Sequence, residues 1–197
     1  MATRNSDKLR ELQAVFATSQ LDLAQYDGYG VVEENGENYA DNARLKADAL
    51  FEQLHQAGIV DCAVIADDSG LEVAALGGRP GVLSARYGGA NLPWPRRRKR
   101  LLYELRTVTE ENRGAKFCCS MHFITPAGKA FISYGEVTGK IAIGESGAFG
   151  FGYDAVFIYP PRAVSFAELS EEEKNAISHR RRAANSLLAD LKGLAFD

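Results

Sequence analysis

Residues 62–89 constrain the fold of this chain more than any other segment. An apolar run, residues 62–66, predicts a buried strand that leads directly into two adjacent acids, Asp67 and Asp68, and a Ser-Gly turn. Carboxylates at the end of a buried strand must face either water or a cation. Two glycine-rich bends follow, and backbone without Cβ atoms approaches a ligand closely. The segment therefore predicts a metal-assisted site for an anionic substrate.

The rest of the chain alternates helical and strand patterns, which predicts an α/β fold. The helix candidates are 8–17, 39–58, 97–106 and a pair of helices opened by Ser170 and Ser178. The strand candidates are 62–66, 71–76, 116–125, 129–137 and 140–143. A Pro-Ala-Gly turn joins the third and fourth of these, which predicts an antiparallel hairpin. No linker interrupts the chain, so residues 1–197 are predicted to form a single domain.

Composition excludes several functional classes. With 23 Lys and Arg against 26 Asp and Glu, the net charge is −3, which argues against general affinity for nucleic acid. No apolar stretch approaches the roughly 20 residues that a membrane span requires. Cys62, Cys118 and Cys119 lack metal-binding spacing and predict reduced core thiols in a cytoplasmic protein. The basic run 96–100 is predicted to be a solvated helix face without a function.

Polar residues at the start of the first helix predict a binding site for phosphate groups. They are Thr3, Arg4, Asn5, Ser6, Asp7 and Lys8. Free N–H groups and the dipole at a helix N-terminus attract anions, although an ordinary polar cap explains the same residues. Glu34 precedes the second helix and Lys46 lies within it, where a solvated surface pair is the alternative. Mg²⁺ takes one or two carboxylates with phosphate oxygens and water, so an acid on each side of a bound ion would fit.

A second group of residues predicts a site for a planar ring. Residues 147–154, GAFGFGYD, interleave aromatic side chains with glycine, which suits stacking on a heterocycle or packing in a core strand. Donor side chains follow at a helix junction: Lys174, His179 and Arg180. These side chains would donate hydrogen bonds to oxygens of the ring. The alternative is that they are structural or solvated residues without a ligand. No G-x-x-x-x-G-K-[ST] sequence occurs, so a P-loop is excluded.

Taken together, these segments resemble the inosine triphosphate pyrophosphatase family. The shared motifs, in family order and spacing, are TRNSDK, GENYADNARLKA, IADDSGLEVAALGGRPGVLSARYGG, GFGYD and ELSEEEKNAISHR. The resemblance implies an ITPase-like (Maf/ITPase) α/β fold, with a long curved mixed sheet flanked by helices and two lobes around a central cleft. It also implies a homodimer that hydrolyses ITP, dITP or XTP to the monophosphate and pyrophosphate with Mg²⁺.

The resemblance assigns roles residue by residue. It implies that Asp68 is the general base and, with Glu34, a metal ligand. It places residues 3–8 in the triphosphate loop and Lys46 on a phosphate. Further substrate contacts are Ser69, Arg86, Phe151, Gly152, Tyr153, Asp154, Lys174, His179 and Arg180. Two positions depart from the family pattern: only Met1 and Ala2 precede the loop, where the family has an apolar strand, and Asp41 replaces a frequent Glu.

Two other hypotheses stay open. A Maf-like pyrophosphatase would act on other modified nucleotides, but the chain lacks the Ser-Ser-x-Arg-Arg opening of that group. A nucleotide-binding module without catalysis is the second alternative. A hydrolase of the haloacid dehalogenase type would need an Asp-x-Asp motif, which residues 67–69 do not supply. The expected partners are a purine nucleoside triphosphate and a second copy of the chain, with neither nucleic acid nor membrane.

Overall fold

The computed structural model describes residues 1–17, 19 and 21–192. The helices are α1 (Ser6–Phe16), α2 (Tyr39–Gln56), α3 (Trp94–Glu104), α4 (Glu171–Ile177) and α5 (His179–Leu191). The strands are β1 (Val64–Val73), β2 (Gly114–Ile124), β3 (Ala130–Ile141), β4 (Phe157–Tyr159) and β5 (Val164–Ser165). The predicted α/β class, a sheet flanked by helices, is confirmed. None of the helices described is long and apolar enough to cross a membrane.

The five strands form one sheet in the order β1-β2-β3-β4-β5. The pairs β3–β4 and β4–β5 are antiparallel, with Lys140 opposite Ile158 and Ile158 opposite Ser165. The predicted hairpin is present as β2 and β3, and its turn is closed by the Thr125 N–H, which donates to the Lys129 carbonyl at 2.9 Å. The separate strand predicted at 140–143 is wrong in part, because β3 continues without a break to Ile141.

The turn predicted directly after Asp67 and Asp68 is wrong, because β1 continues through it. The strand runs without interruption from Val64 to Val73, so Asp67 and Asp68 lie in mid-strand and are buried, rather than exposed at a strand end. Asp, Ser and Gly are typical turn residues, which is why the sequence suggested a bend. Cations that reach both aspartates stabilise the extended conformation, as described below.

The chain divides into two compact units, whose boundary falls within β1, β2 and β3. The first unit comprises residues 1–68, 119–135 and the described residues from 179 onward; the second comprises 69–118 and 136–178. The expectation of a single domain over 1–197 stays a prediction. All residues of α1, α2 and α5 belong to the first unit, and all residues of α3 and α4 belong to the second.

In the first unit, the two faces of β1 pack against different helices. Alternate strand residues point to opposite faces. Ile65 joins a buried cluster with Leu12 of α1 and Ala183 of α5. Val64 and Ala66 instead join a cluster supplied by α2: Ala47, Leu50 and Leu54. The residues that continue this alternation along β1 are Asp67 and Asp68, so the pleat directs their carboxylates to different helices.

In the second unit, an aromatic core packs against α3. Phe117, Phe157 and Phe166 have ring centroids 4.6 to 6.0 Å apart and share one cluster with Leu101 of α3. The prediction that 96–100 is a solvated face is wrong for Arg97, which is buried and donates to the carbonyls of Tyr87 and Leu92. The guanidinium can be buried here because backbone carbonyls accept from both of its terminal nitrogens.

Two of the three cysteines match the prediction of core thiols. Cys118 and Cys119 are buried neighbours in β2, where successive side chains point to opposite faces. Cys62 is exposed, so the prediction is wrong for that residue. The apolar run that contains Cys62 enters β1 only at Val64, which leaves the thiol outside the strand.

Gly135 of β3 allows α5 to pack directly on the strand. A Cβ atom at this position would overlap the backbone of Ala183 and of His179. Backbone cannot rotate away as a side chain does, so we expect Gly135→Ala to lower the free energy of unfolding by about 3 kcal/mol in urea denaturation. Gly144→Ala is the matched control, because a Cβ atom there meets nothing within 4 Å. Equal losses in the two variants would contradict this account of the packing.

Candidate active site

Asp68 of β1 is the centre of a group of polar residues at one face of the strand. We call this group the Asp68 cluster; its members are Glu34, Asn42, Lys46 and Asp68. Lys46 Nζ donates to Asp68 Oδ1 at 3.1 Å and to Glu34 Oε1 at 3.3 Å. Asn42 Nδ2 donates to Asp68 Oδ2 at 3.2 Å. Asn42 and Lys46 lie one turn apart on α2, so both side chains reach the same carboxylate. The cluster therefore brings together the two acids predicted to be metal ligands and the predicted phosphate lysine.

The lysine of this cluster stays charged despite its burial. Burial lowers the pKa of Lys46, but the carboxylates of Asp68, Asp67 and Glu34 outweigh it and raise the pKa above its ordinary value. Asn42 in turn accepts a hydrogen bond from the Gly36 N–H at 2.8 Å, which fixes the amide that holds Asp68. Both oxygens of Asp68 thus have an assigned donor, and the orientation of the carboxylate is set before any ligand arrives.

Asp67 is the centre of a second polar group at the other face of β1. We call this group the Asp67 cluster; its members are Lys8, Glu11, Asp67 and Arg180. Asp67 Oδ2 accepts hydrogen bonds from Lys8 Nζ at 3.1 Å and from Arg180 Nε at 3.3 Å. Arg180 NH1 also donates to Glu11 Oε2 at 3.0 Å. Burial raises the pKa of Asp67, but the cations of Lys8, Arg180 and Lys46 outweigh it and hold the pKa well below its usual range. Asp67 is therefore a permanent buried anion.

Residues 3–8, predicted to bind the triphosphate, lead into α1, and two of their N–H groups already have a hydrogen-bond acceptor. Asn5 Oδ1 caps the helix by accepting from the N–H groups of Asp7 and Lys8, at 2.9 and 3.2 Å. The expectation that these N–H groups are free is therefore wrong. Asp7 pairs with Arg10 at 3.2 Å on the surface, whereas Lys8 points to Asp67. Two residues complete the exposed part of the loop: Arg4 and Ser6.

Thr3 and His179 are also placed in the first unit. Thr3 is buried, and its Oγ1 accepts from the Asn5 N–H at 3.1 Å, which ties the loop together just before α1. His179 is buried and opens α5, directly before Arg180. The cluster that contains Arg180 thus connects the beginning of α1 with the beginning of α5.

In the second unit, the glycine-rich loop is organised by Asp154. Asp154 Oδ2 accepts from Lys174 Nζ at 2.7 Å and from the Phe151 N–H at 2.8 Å. The Lys174 ammonium also lies 4.5 Å from the centre of the Phe151 ring. Asp154 and Lys174 are buried, so this ion pair is a fixed support for the loop. Three of the predicted nucleobase residues are thereby in mutual contact.

The remaining predicted contacts of the second unit differ in exposure. Tyr153 is buried in the core, with its hydroxyl donating to the Ser84 carbonyl at 3.1 Å, so it is not a surface for ring stacking. Gly152 offers its carbonyl to Arg98 at 3.0 Å. Ser69 is half-buried in β1, and Arg86 is exposed at the end of a short 3₁₀ helix, Gly81–Arg86. Loop residue Phe149, in contrast, has an exposed ring.

The Asp68 cluster is suited to a divalent cation that binds through oxygen. Glu34 Oε1 and Asp68 Oδ1 both lie within hydrogen-bonding distance of one atom, Lys46 Nζ, so these two oxygens converge. Within residues 1–17, 19 and 21–192, no group of three or more His, Cys, Asp or Glu side chains is arranged to hold a metal. Mg²⁺ commonly takes one or two carboxylates and completes its shell with phosphate oxygens and water. Glu34 and Asp68 fit that requirement.

The family follows from comparison with known proteins. A family model described as the Ham1 family matches residues 1–190. The chain belongs to the Ham1 family. It is 38% identical over 197 residues to a dITP/XTP pyrophosphatase of Clostridium perfringens, covering 98% of this chain and 97% of that protein. A dITP/XTP pyrophosphatase of Listeria monocytogenes is 41% identical over 194 residues, with 97% and 93% covered.

Solved structures of the family share the fold. The Staphylococcus aureus Ham1 protein superposes with a TM-score of 0.82 at 38% identity, covering 98% of this chain and 96% of that chain. A HAM1 protein from Coxiella burnetii gives a TM-score of 0.84 at 34% identity, with 98% and 96% covered. The resemblance inferred from the sequence motifs is therefore confirmed as family membership.

Sequence reasoning missed two members of the buried clusters. Glu11 was not recognised because it occupies one position of an amphipathic helix, and its partner Arg180 lies 169 residues away. Asp67 was noticed only as a neighbour of Asp68. The signal that could have identified both is a charged residue at a position where helical or strand periodicity requires an apolar one.

Lys46 is the cation on which the Asp68 cluster depends. Lys46→Met would remove the cation that Glu34 and Asp68 share, and we expect it to lower the free energy of unfolding by about 3 kcal/mol or more. Arg44→Met is the matched control on the same helix, because Arg44 pairs with Asp48 at the surface. That variant should change stability by no more than about 0.5 kcal/mol. Urea titrations of both variants at pH 7 test the difference.

Proposed function

We propose that this protein hydrolyses non-canonical purine nucleoside triphosphates (ITP, dITP and XTP) to the monophosphate and pyrophosphate. The observation that carries the proposal is the convergence of Glu34, Lys46 and Asp68 at one face of β1. The relatives in Clostridium perfringens and Listeria monocytogenes, both named dITP/XTP pyrophosphatase, support the same activity. Cytoplasmic localisation and a homodimer stay predictions from the sequence.

Charge balance supports a requirement for a divalent cation. The ion pairs of the Asp67 and Asp68 clusters contain three cationic and four carboxylate side chains. A triphosphate would bring several further negative charges to the carboxylates of Glu34 and Asp68. Mg²⁺ held by Glu34 and Asp68 would supply the missing positive charge at the phosphates. We therefore propose Mg²⁺ as the cofactor.

In the proposed reaction, Asp68 acts as the general base. Water attacks the α-phosphorus, its proton passes to the Asp68 carboxylate, and pyrophosphate leaves as the bond to the bridging oxygen breaks. Asn42 and Lys46 hold the carboxylate in a fixed orientation, so no reorganisation of Asp68 precedes proton transfer. Lys8 and Lys46 supply cations that stabilise the charge developing on the leaving group.

Selectivity for the base is proposed to come from donors that pair with an oxygen at C6. Hypoxanthine and xanthine carry this oxygen, whereas adenine carries an amino group, which is itself a donor. The family resemblance assigns His179 and Arg180, both in the first unit, to the base. A site built to pair with a substrate group rejects the analogue that lacks it by a large factor.

The proposed base can be tested by one isosteric change. Asp68→Asn keeps the shape of the side chain but cannot take a proton, so we expect turnover of ITP with Mg²⁺ to fall about 100-fold or more. Binding of ITP, measured by calorimetry, should change by only a few-fold. Asp48→Asn, at an exposed position of α2, is the control and should retain full activity. Full turnover by Asp68→Asn would remove Asp68 from this role.

The proposed substrate class can be tested by a panel of nucleotides. Pyrophosphate release should be fastest with ITP, dITP and XTP, and slower with ATP by about 10⁴ in kcat/KM, because adenine leaves the base-reading donors unpaired. Chelation of divalent ions should abolish release, and Mg²⁺ should restore it. Preference for a modified pyrimidine would favour the Maf-like alternative, and binding without pyrophosphate release would favour a non-catalytic module.

A further inference from the structure

The Asp67 cluster is an ion network buried in the first unit. The side chains of Glu11, Asp67 and Arg180 are at most 4% exposed. Three different elements supply its members: α1 carries Lys8 and Glu11, β1 carries Asp67, and α5 carries Arg180. The helices α1 and α5 pack against each other through apolar residues, so the ion network is embedded in a hydrophobic interface.

Stability alone does not account for such an arrangement. Removing charges from water costs several kcal/mol per ion, and replacing a buried ion network with apolar residues of similar size is often neutral or stabilising. Leu12 and Val15, close to Glu11 in α1, are fully buried, so an apolar residue at position 11 would be compatible with the interface. The network therefore suggests a function that requires its charges.

The geometry indicates what that function is. One oxygen, Asp67 Oδ2, accepts from both Lys8 Nζ and Arg180 Nε, so it fixes the distance between the two cations. Glu11 holds a second nitrogen of the same guanidinium, which leaves Arg180 little freedom to rotate about its contact with Asp67. Two bonds from fixed carboxylates to one planar guanidinium specify its position and its plane.

We propose that Glu11 and Asp67 are positioning residues that hold Lys8 and Arg180 at a set separation. The inference rests on the proposed function, in which Lys8 contacts the triphosphate and Arg180 contacts the base. Asp67 positions the contacts to both ends of the nucleotide, because it binds both Lys8 and Arg180. Glu11 acts at the base end, because it holds Arg180 through NH1.

This division of roles predicts different effects on two ligands. Inorganic tripolyphosphate reaches only the phosphate end, whereas ITP uses both ends. Glu11→Gln removes one charge at constant size, and we expect it to raise KM for ITP about tenfold while the Ki of tripolyphosphate stays within about twofold. Asp67→Asn should raise both constants about tenfold or more, because it releases both cations.

The controls separate positioning from a general loss of folding. Glu52→Gln makes the same chemical change at an exposed position of α2 and should leave both constants unchanged. A merely structural role for Glu11 would raise KM and Ki together or would lower the fraction of folded protein without changing either. Equal effects of Glu11→Gln on both ligands, or no effect on KM, would overturn the proposal.

A readout that does not depend on activity distinguishes this proposal from the proposed function. The Arg180 Nε–H resonance, identified by its loss in Arg180→Lys, should exchange slowly with water in the unmodified protein. In Glu11→Gln it should exchange at least about tenfold faster, because the lost bond from NH1 to Glu11 no longer holds the guanidinium, and the neighbouring Nε–H bond to Asp67 then opens more often. If the protein neither binds nor hydrolyses ITP, the proposed function is wrong, and the exchange rate still decides the positioning. Equal exchange rates would refute the positioning itself.

Discussion

Two adjacent carboxylates in the middle of a buried strand are each paired with cations, which reach them from opposite faces of that strand. Asp67 faces Lys8 and Arg180, and Asp68 faces Lys46. An unpaired carboxylate in this position would cost far more than a strand of this length could offset. The alternation of side chains along β1 thus determines the layout of the first unit: α1 and α5 supply counter-ions for one face, and α2 supplies them for the other.

Local chemistry could be predicted from the sequence wherever neighbouring residues decide the structure. The cap at Ser170 and the hairpin turn at 125–129 both follow from short-range hydrogen bonds. The path of β1 through Asp67 could not be predicted in this way. Its residues favour a turn locally, and the strand is stabilised by partners at positions 8 and 180, which no local pattern reveals.

The candidate site shows the same division between near and distant partners. The family motifs identified Glu34, Lys46 and Asp68, and the structure brings these three side chains together. The motifs also identified Tyr153, whose aromatic ring is in the core rather than at a surface. A glycine-rich run does not specify which of its aromatic rings faces inward; in this chain the choice is fixed by Trp94 and Ser84, which contact Tyr153 from elsewhere in the second unit.

The buried setting of Arg180 also limits how selectivity for a base can arise. Every nucleoside triphosphate carries the same phosphates, so discrimination must come from the base contacts. Asp67 and Glu11 accept from two different nitrogens of the Arg180 guanidinium, which has five N–H donors in all. A buried donor left unpaired costs about 1–3 kcal/mol, which corresponds to roughly 5- to 150-fold in affinity. A single donor therefore cannot produce a preference of 10⁴, and two or more donors must act on the base together. In the proposed function, His179, buried directly beside Arg180 in the chain, is a second donor assigned to the base.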